Sequence, residues 1–113
     1  MSEGLKGLLE TILPTYQYQM PGGIDAAITY QPMYAADRVY ESGEVREQLV
    51  TYRVTIFQRK NDDSIVRKVV SALRAAGWTV TDREWMIDTD NRYYQHAINI
   101  DKMEVIKNEN LGP

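Results

Sequence analysis

The chain has 113 residues, 43% hydrophobic and 26% charged, which suits one small domain with a core of its own and little room for a deep substrate cleft. Its 13 Lys+Arg against 16 Asp+Glu give a net charge of −3, which counts against a dedicated nucleic-acid module, because such modules neutralise phosphates with a basic surface. With no cysteine, disulfides, thiolate zinc sites and cysteine nucleophiles are excluded. The N-terminus lacks a basic start followed by a long apolar run, and no stretch approaches the length of a membrane span. The expected setting is a bacterial cytoplasm or a particle assembled there.

Residues 3–13, EGLKGLLETIL, place Leu5, Leu8, Leu9, Ile12 and Leu13 at helical spacing, with Ser2 as an N-cap and Pro14 as the stop. PTYQYQMPGG then reads as an irregular connector. A strand is predicted over 24–31 and ended by Pro32, and another near 36–41. A polar tip at 42–46 leads to a long strand from about 47 to 59, where Val50, Tyr52, Val54 and Ile56 alternate with Thr51, Arg53, Thr55 and Phe57.

NDDSIVRKVVSALRAAGW is a helix with Asn61, Asp62 or Asp63 as cap. Ile65, Val66, Val69, Val70, Leu73 and Ala76 form its apolar face, and Gly77 its left-handed C-terminal residue. A strand over 78–87 puts Trp78, Val80 and Asp82 on one side. The last strand, 92–106, puts Tyr94, His96, Ile98 and Ile100 on one face, and a polar tail of about 107–113 follows. The predicted fold is a single α+β domain in the order α-β-β-α-β-β, a mainly antiparallel sheet of four to five strands packed against two helices.

The stretch IDTDNRYYQHAINI holds the only histidine of the chain. Asp88, Asp90 and Asn91 resemble the start of a calcium loop, yet loop positions six and twelve fall on Tyr93 and Asn99 instead of glycine and glutamate. His96 could act as a general base with Asp88 or Asp90, but no nucleophile elbow, phosphate loop or second histidine accompanies it. The plainest reading is a turn at 88–92 between two strands, since Asp and Asn bond nearby backbone and tolerate left-handed conformations.

This turn and the element order are similar to those of the tail-terminator (tail-completion, head–tail joining) proteins of long-tailed bacteriophages and prophages. Their acidic turn before a final alternating strand maps onto Asp88, Thr89, Asp90, Tyr94 and His96, and VTYRVTIFQRKNDD fits the strand that runs into a capped helix. The resemblance spans roughly residues 1–106, although DTDNRYY lacks the glycine often found in that turn.

The resemblance implies a structural role. Copies of the chain, commonly six, would form a ring that caps the tail tube and meets the head connector, with no enzyme activity and no cofactor. The partners implied are the chain itself, the major tail tube protein and head-connector proteins, at the tail–neck junction of a virion, with neither membrane nor sequence-specific nucleic-acid binding. Another neck or minor tail subunit, or a small ligand-binding or enzymatic domain using His96, are the alternatives.

Tyr, Trp and Met are enriched in interface cores, and the segment least explained by a monomer core is rich in them. The interface candidates are therefore Tyr16, Tyr18, Met20, Tyr30, Met33, Tyr34 and Tyr40, with the charged tip residues Glu41, Glu44 and Arg46.

Overall fold

The structure, a computed structural model, describes residues 2–39 and 45–107, and side chains over 4–33 and 47–104. The elements are helix α1 (Ser2–Glu10), strands β1 (Thr15–Gln17), β2 (Ala26–Val39) and β3 (Val45–Gln58), helix α2 (Asp63–Ala75), and strands β4 (Thr79–Asp88) and β5 (Tyr93–Lys107). They form one five-stranded sheet in the order β1-β2-β3-β5-β4, antiparallel except for the parallel β1–β2 pair. The α+β class matches the sequence reading, and β3, β4 and β5 lie near the strands it predicted.

Four details differ. The connector after Pro14 contains β1, too short to show a period; it is held by Ile28 N donating to Pro14 O and Tyr18 N to Tyr30 O. Pro32 does not end a strand, so the two segments predicted over 24–31 and 36–41 are one strand, β2. Residues 28 and 30 direct their backbone groups toward β1, so the N–H that Pro32 lacks would point to the same outer side. Among the described residues no strand pairs there beyond Gln17, and a proline is tolerated where no ladder bond is lost. A register shift between Pro32 and Tyr34, with Met33 as the extra residue, marks the same place.

A second shift, between Val80 and Asp82, breaks the expected alternation of β4. Val80 pairs with Ile100, whereas Asp82 pairs with Asn99 and changes face. Finally, Ser2 is already helical rather than preceding the helix. Of the predicted tip at 42–46, residues 42–44 lie outside the described residues, and Val45 and Arg46 already belong to β3. Of the predicted tail, Lys107 is the last residue of β5 and 108–113 lie outside the description.

Helix α2 is closed at both ends by the residues its sequence suggested. Asp62 Oδ1 accepts from Ser64 N at 2.9 Å. Gly77, at φ 93°, lets its own N–H reach Arg74 O and the Trp78 N–H reach Leu73 O, both at 3.0 Å. That turn delivers Trp78 into the core beside Lys102.

The core lies between the helices and one sheet face. Leu5, Leu9, Val66, Val69, Val70 and Leu73 pack on Ile28, Tyr30, Val54, Ile56, Ile98 and Ile100. The other face carries polar cross-strand pairs: Thr51 Oγ1 donates to Asp101 Oδ1 at 2.7 Å, and Arg53 Nε to Asn99 Oδ1 at 3.1 Å.

The long strands outrun this core. The helices have 9 and 13 residues, about 14 and 20 Å, whereas the 14 residues of β3 span about 46 Å. Among the described side chains, the core and the hydrophobics packed on it reach no further than Tyr30 on β2, Val50 on β3 and Ile100 on β5. Beyond them, β2, β3 and β5 continue as a three-stranded arm, paired out to Val39↔Arg46 and Val45↔Lys107. The molecule is accordingly elongated, 54 × 23 × 23 Å.

Candidate assembly interface

The turn at 88–92 is built from its own side chains. Asp88 accepts from the backbone N of Asn91 at 3.1 Å through Oδ1 and from Asn91 Nδ2 at 2.8 Å through Oδ2. The side-chain bond first, then the backbone bond, holds the Asp88 carboxyl below the usual carboxylate range. Arg92 takes the left-handed conformation, φ 61°, that a glycine would occupy without strain. Thr89 and Asp90 are exposed. Asp88 is thus engaged within its own turn.

His96 lies three pairs in from the Asp88↔Tyr93 pair, on the helix-covered face, opposite Ile56 on one side and Trp85 on the other. It is buried. Arg83 Nε donates to its Nε2 at 3.3 Å, which assigns the ring proton to Nδ1. Nδ1 has no hydrogen-bond partner among the described residues. The Trp85 ring covers it at 4.4 Å between centroids. Burial first, and the Arg83 cation second, lower its pKa, so the imidazole is held neutral. Its hydrogen-bond neighbour is a cation, and a general base is not oriented that way. A groove lined by Leu13, Asp25, Gln58, Arg59, Asp62 and Ile65 opens elsewhere and does not include His96. Among the described residues, no group of three His, Asp or Glu side chains is placed to hold a metal ion.

The aromatic candidates divide. Tyr30 is buried in the core, 6.4 Å from the Tyr52 ring, and is withdrawn from the interface set. Tyr16 and Met20 are half-buried. Tyr18 is 60% exposed, with φ 70°, and Met33 is 47% exposed at the bulge of β2. Tyr34 and Arg46 sit in β2 and β3, paired with Thr51 and Val39, and their side chains lie outside the description. Tyr40, Glu41 and Glu44 lie outside the described residues altogether.

The sequence reading missed the most exposed apolar run. Trp85, Met86 and Ile87 are consecutive on the edge strand β4 and are 52%, 43% and 67% exposed, and Tyr94 beside them is 36% exposed. An isolated exposed apolar side chain is ordinary; three in sequence on an edge strand expose apolar area and unpaired backbone together. EWMID itself carries the signal, because apolar residues at adjacent positions leave neither sheet face polar.

No family model matches the chain, and no curated protein matches it. Its fold is similar to that of a chain in the solved structure described as "Virion of native gene transfer agent (GTA) particle", at TM-score 0.59 and 10% identity over 88% of this chain and 82% of that one.

Proposed function

We propose that this chain is a non-enzymatic virion structural protein that assembles into a ring at the end of a tail tube and joins tail to head. The observation that carries this reading is the similarity of fold, over most of both chains, to a component of a virion particle. Two features of the chain itself support it. An arm that outruns the core and an apolar edge strand are costly in a monomer and useful in an assembly. The partners of this reading are further copies of the chain, the major tail tube protein and the head connector. Identical subunits joined head to tail close into a ring when the rotation between them divides a full turn.

Light scattering over a micromolar-to-millimolar series tests the ring, with a closed species near six times 13.0 kDa expected. Incubation with purified tail tubes and electron microscopy tests its place, with density expected at one tube end. A monomer at all concentrations that leaves tube ends bare overturns the reading.

A further inference from the structure

We infer that copies of this chain join by continuing the sheet, with the outer edge of β4 of one copy pairing antiparallel to the free outer edge of the β2 arm of the next. This rests on the assembly reading above and names the surfaces that would carry it.

Among the described residues both edges are unpaired and lie on opposite sides of the sheet, so their pairing is head-to-tail and leaves a further edge open at each end. Three successive antiparallel pairs separate β2 from β4, so the two strands run in opposite directions within one copy. A neighbour related by rotation about an axis near the strand direction therefore presents β2 antiparallel to β4.

One register satisfies charge, size, face and backbone at once. Written in opposite directions, residues 81–87 of β4 are TDREWMI and residues 39–33 of β2 are VRDAAYM. Arg38 then stands opposite Asp82, and Asp37 opposite Arg83. The apolar run meets an apolar run: Ala35 opposite Trp85, Tyr34 opposite Met86, Met33 opposite Ile87. Opposite charges and apolar pairs at facing positions stabilise an antiparallel ladder, and like charges there oppose it.

The faces agree without adjustment. Ala35 pairs with Val50 and Trp85 with His96, both on the helix-covered face. Tyr34 pairs with Thr51 and Met86 with Gln95, both on the open face. The backbone agrees too. Residues 28 and 30 direct N–H and C=O toward β1, and alternation across the ladders, counted through the Met33 bulge, directs Ala35 and Asp37 outward on β2. The same alternation directs Arg83 and Trp85 outward on β4.

The stagger is that of a closed cylinder. Trp85 is level with Ile28 of its own copy through His96 and Ile56, but pairs with Ala35 of the next. Seven residues separate 28 from 35, less the bulged Met33, and β1 lies beside the base of β2 without adding a strand between copies. Each copy therefore advances four strands and shifts its neighbour by six residues, about 20 Å along the strands for about 19 Å across them. The strands then tilt by about 46° to the cylinder axis, at the upper edge of the range that closed sheets adopt.

The absence of native cysteine makes the test clean. Ala36 and Glu84 would face each other as a non-hydrogen-bonded pair, the closer kind and within disulfide reach. The variant carrying both Ala36→Cys and Glu84→Cys is oxidised at concentrations where scattering detects assembly, and otherwise at the highest attainable. A ladder of covalent oligomers on a non-reducing gel is expected. Each single variant should give at most dimers, and Ala36→Cys with Met86→Cys, two residues out of register, should give little.

Charge reversal reads the same register without a thiol. Arg38→Asp should raise the half-assembly concentration about tenfold, and Arg38→Asp with Asp82→Arg should restore most of it. Assembly of the unmodified chain with no ladder and no charge rescue overturns this pairing while leaving the ring. An equal ladder from the offset pair overturns the register. No assembly and no ladder overturns the pairing and the ring reading together.

Discussion

Strands β2, β3 and β5 each pass through two environments, and the contrast between them separates the part of the sheet that the helices cover from the part they do not. In the body, Ile28, Val54, Ile56, Ile98 and Ile100 are fully buried beneath two helices. Along the arm the same three strands keep their ladder but have left the core, and Met103 there is 39% exposed. Among the described side chains of the arm none belongs to the buried core, so backbone pairing continues past it. A ladder alone contributes little net stability, since water competes for each hydrogen bond, so the arm contributes less to folding than the body does.

The largest expected effect breaks the body. Leu73→Ala removes a fully buried side chain and should cost about 2–5 kcal/mol in urea unfolding, whereas Met103→Ser in the arm should change stability by less than about 0.5 kcal/mol. Equal effects from the two would erase the distinction between body and arm.

Next is the join between α2 and β4. Gly77→Ala forces a side chain to φ 93°; its Cβ would meet nothing closer than the Lys102 side chain at 3.7 Å, so the cost, about 1 kcal/mol, is conformational. Thermal unfolding should shift while assembly of the folded protein does not.

A smaller effect follows pH through His96. Its folded pKa is lowered, so the unfolded chain takes the proton more readily and stability falls as pH drops below the ordinary value of 6.5. His96→Gln should flatten that limb and leave the lower one, where the depressed carboxyls of Asp62 and Asp88 take up protons. An unchanged slope near pH 6 in the variant would remove His96 from the account.

The smallest is at the hairpin turn. Arg92→Gly relieves the left-handed residue and should stabilise by about 0.5 kcal/mol, with assembly unchanged.

The sequence by itself determined the elements whose signals are local. The period of Ile65 to Leu73, the Asp62 cap, the Gly77 stop and the alternation of β3 and β5 each depend on neighbours in the chain, and the structure has them at those positions. Asp88 and Asn91 spelled their turn for the same reason.

What only the tertiary structure decided depends on residues far apart. β1 is a strand because β2 lies alongside it. Pro32 sits inside a strand because its missing N–H falls on an unpaired side, and no local pattern reports which side that is. Tyr30 and Tyr18 are similar residues in one segment, yet one is core and the other exposed, because helices cover only one face of the sheet. The apolar run Trp85–Ile87 reads as an ordinary strand until the strand order puts it at an edge; only then does its exposure count.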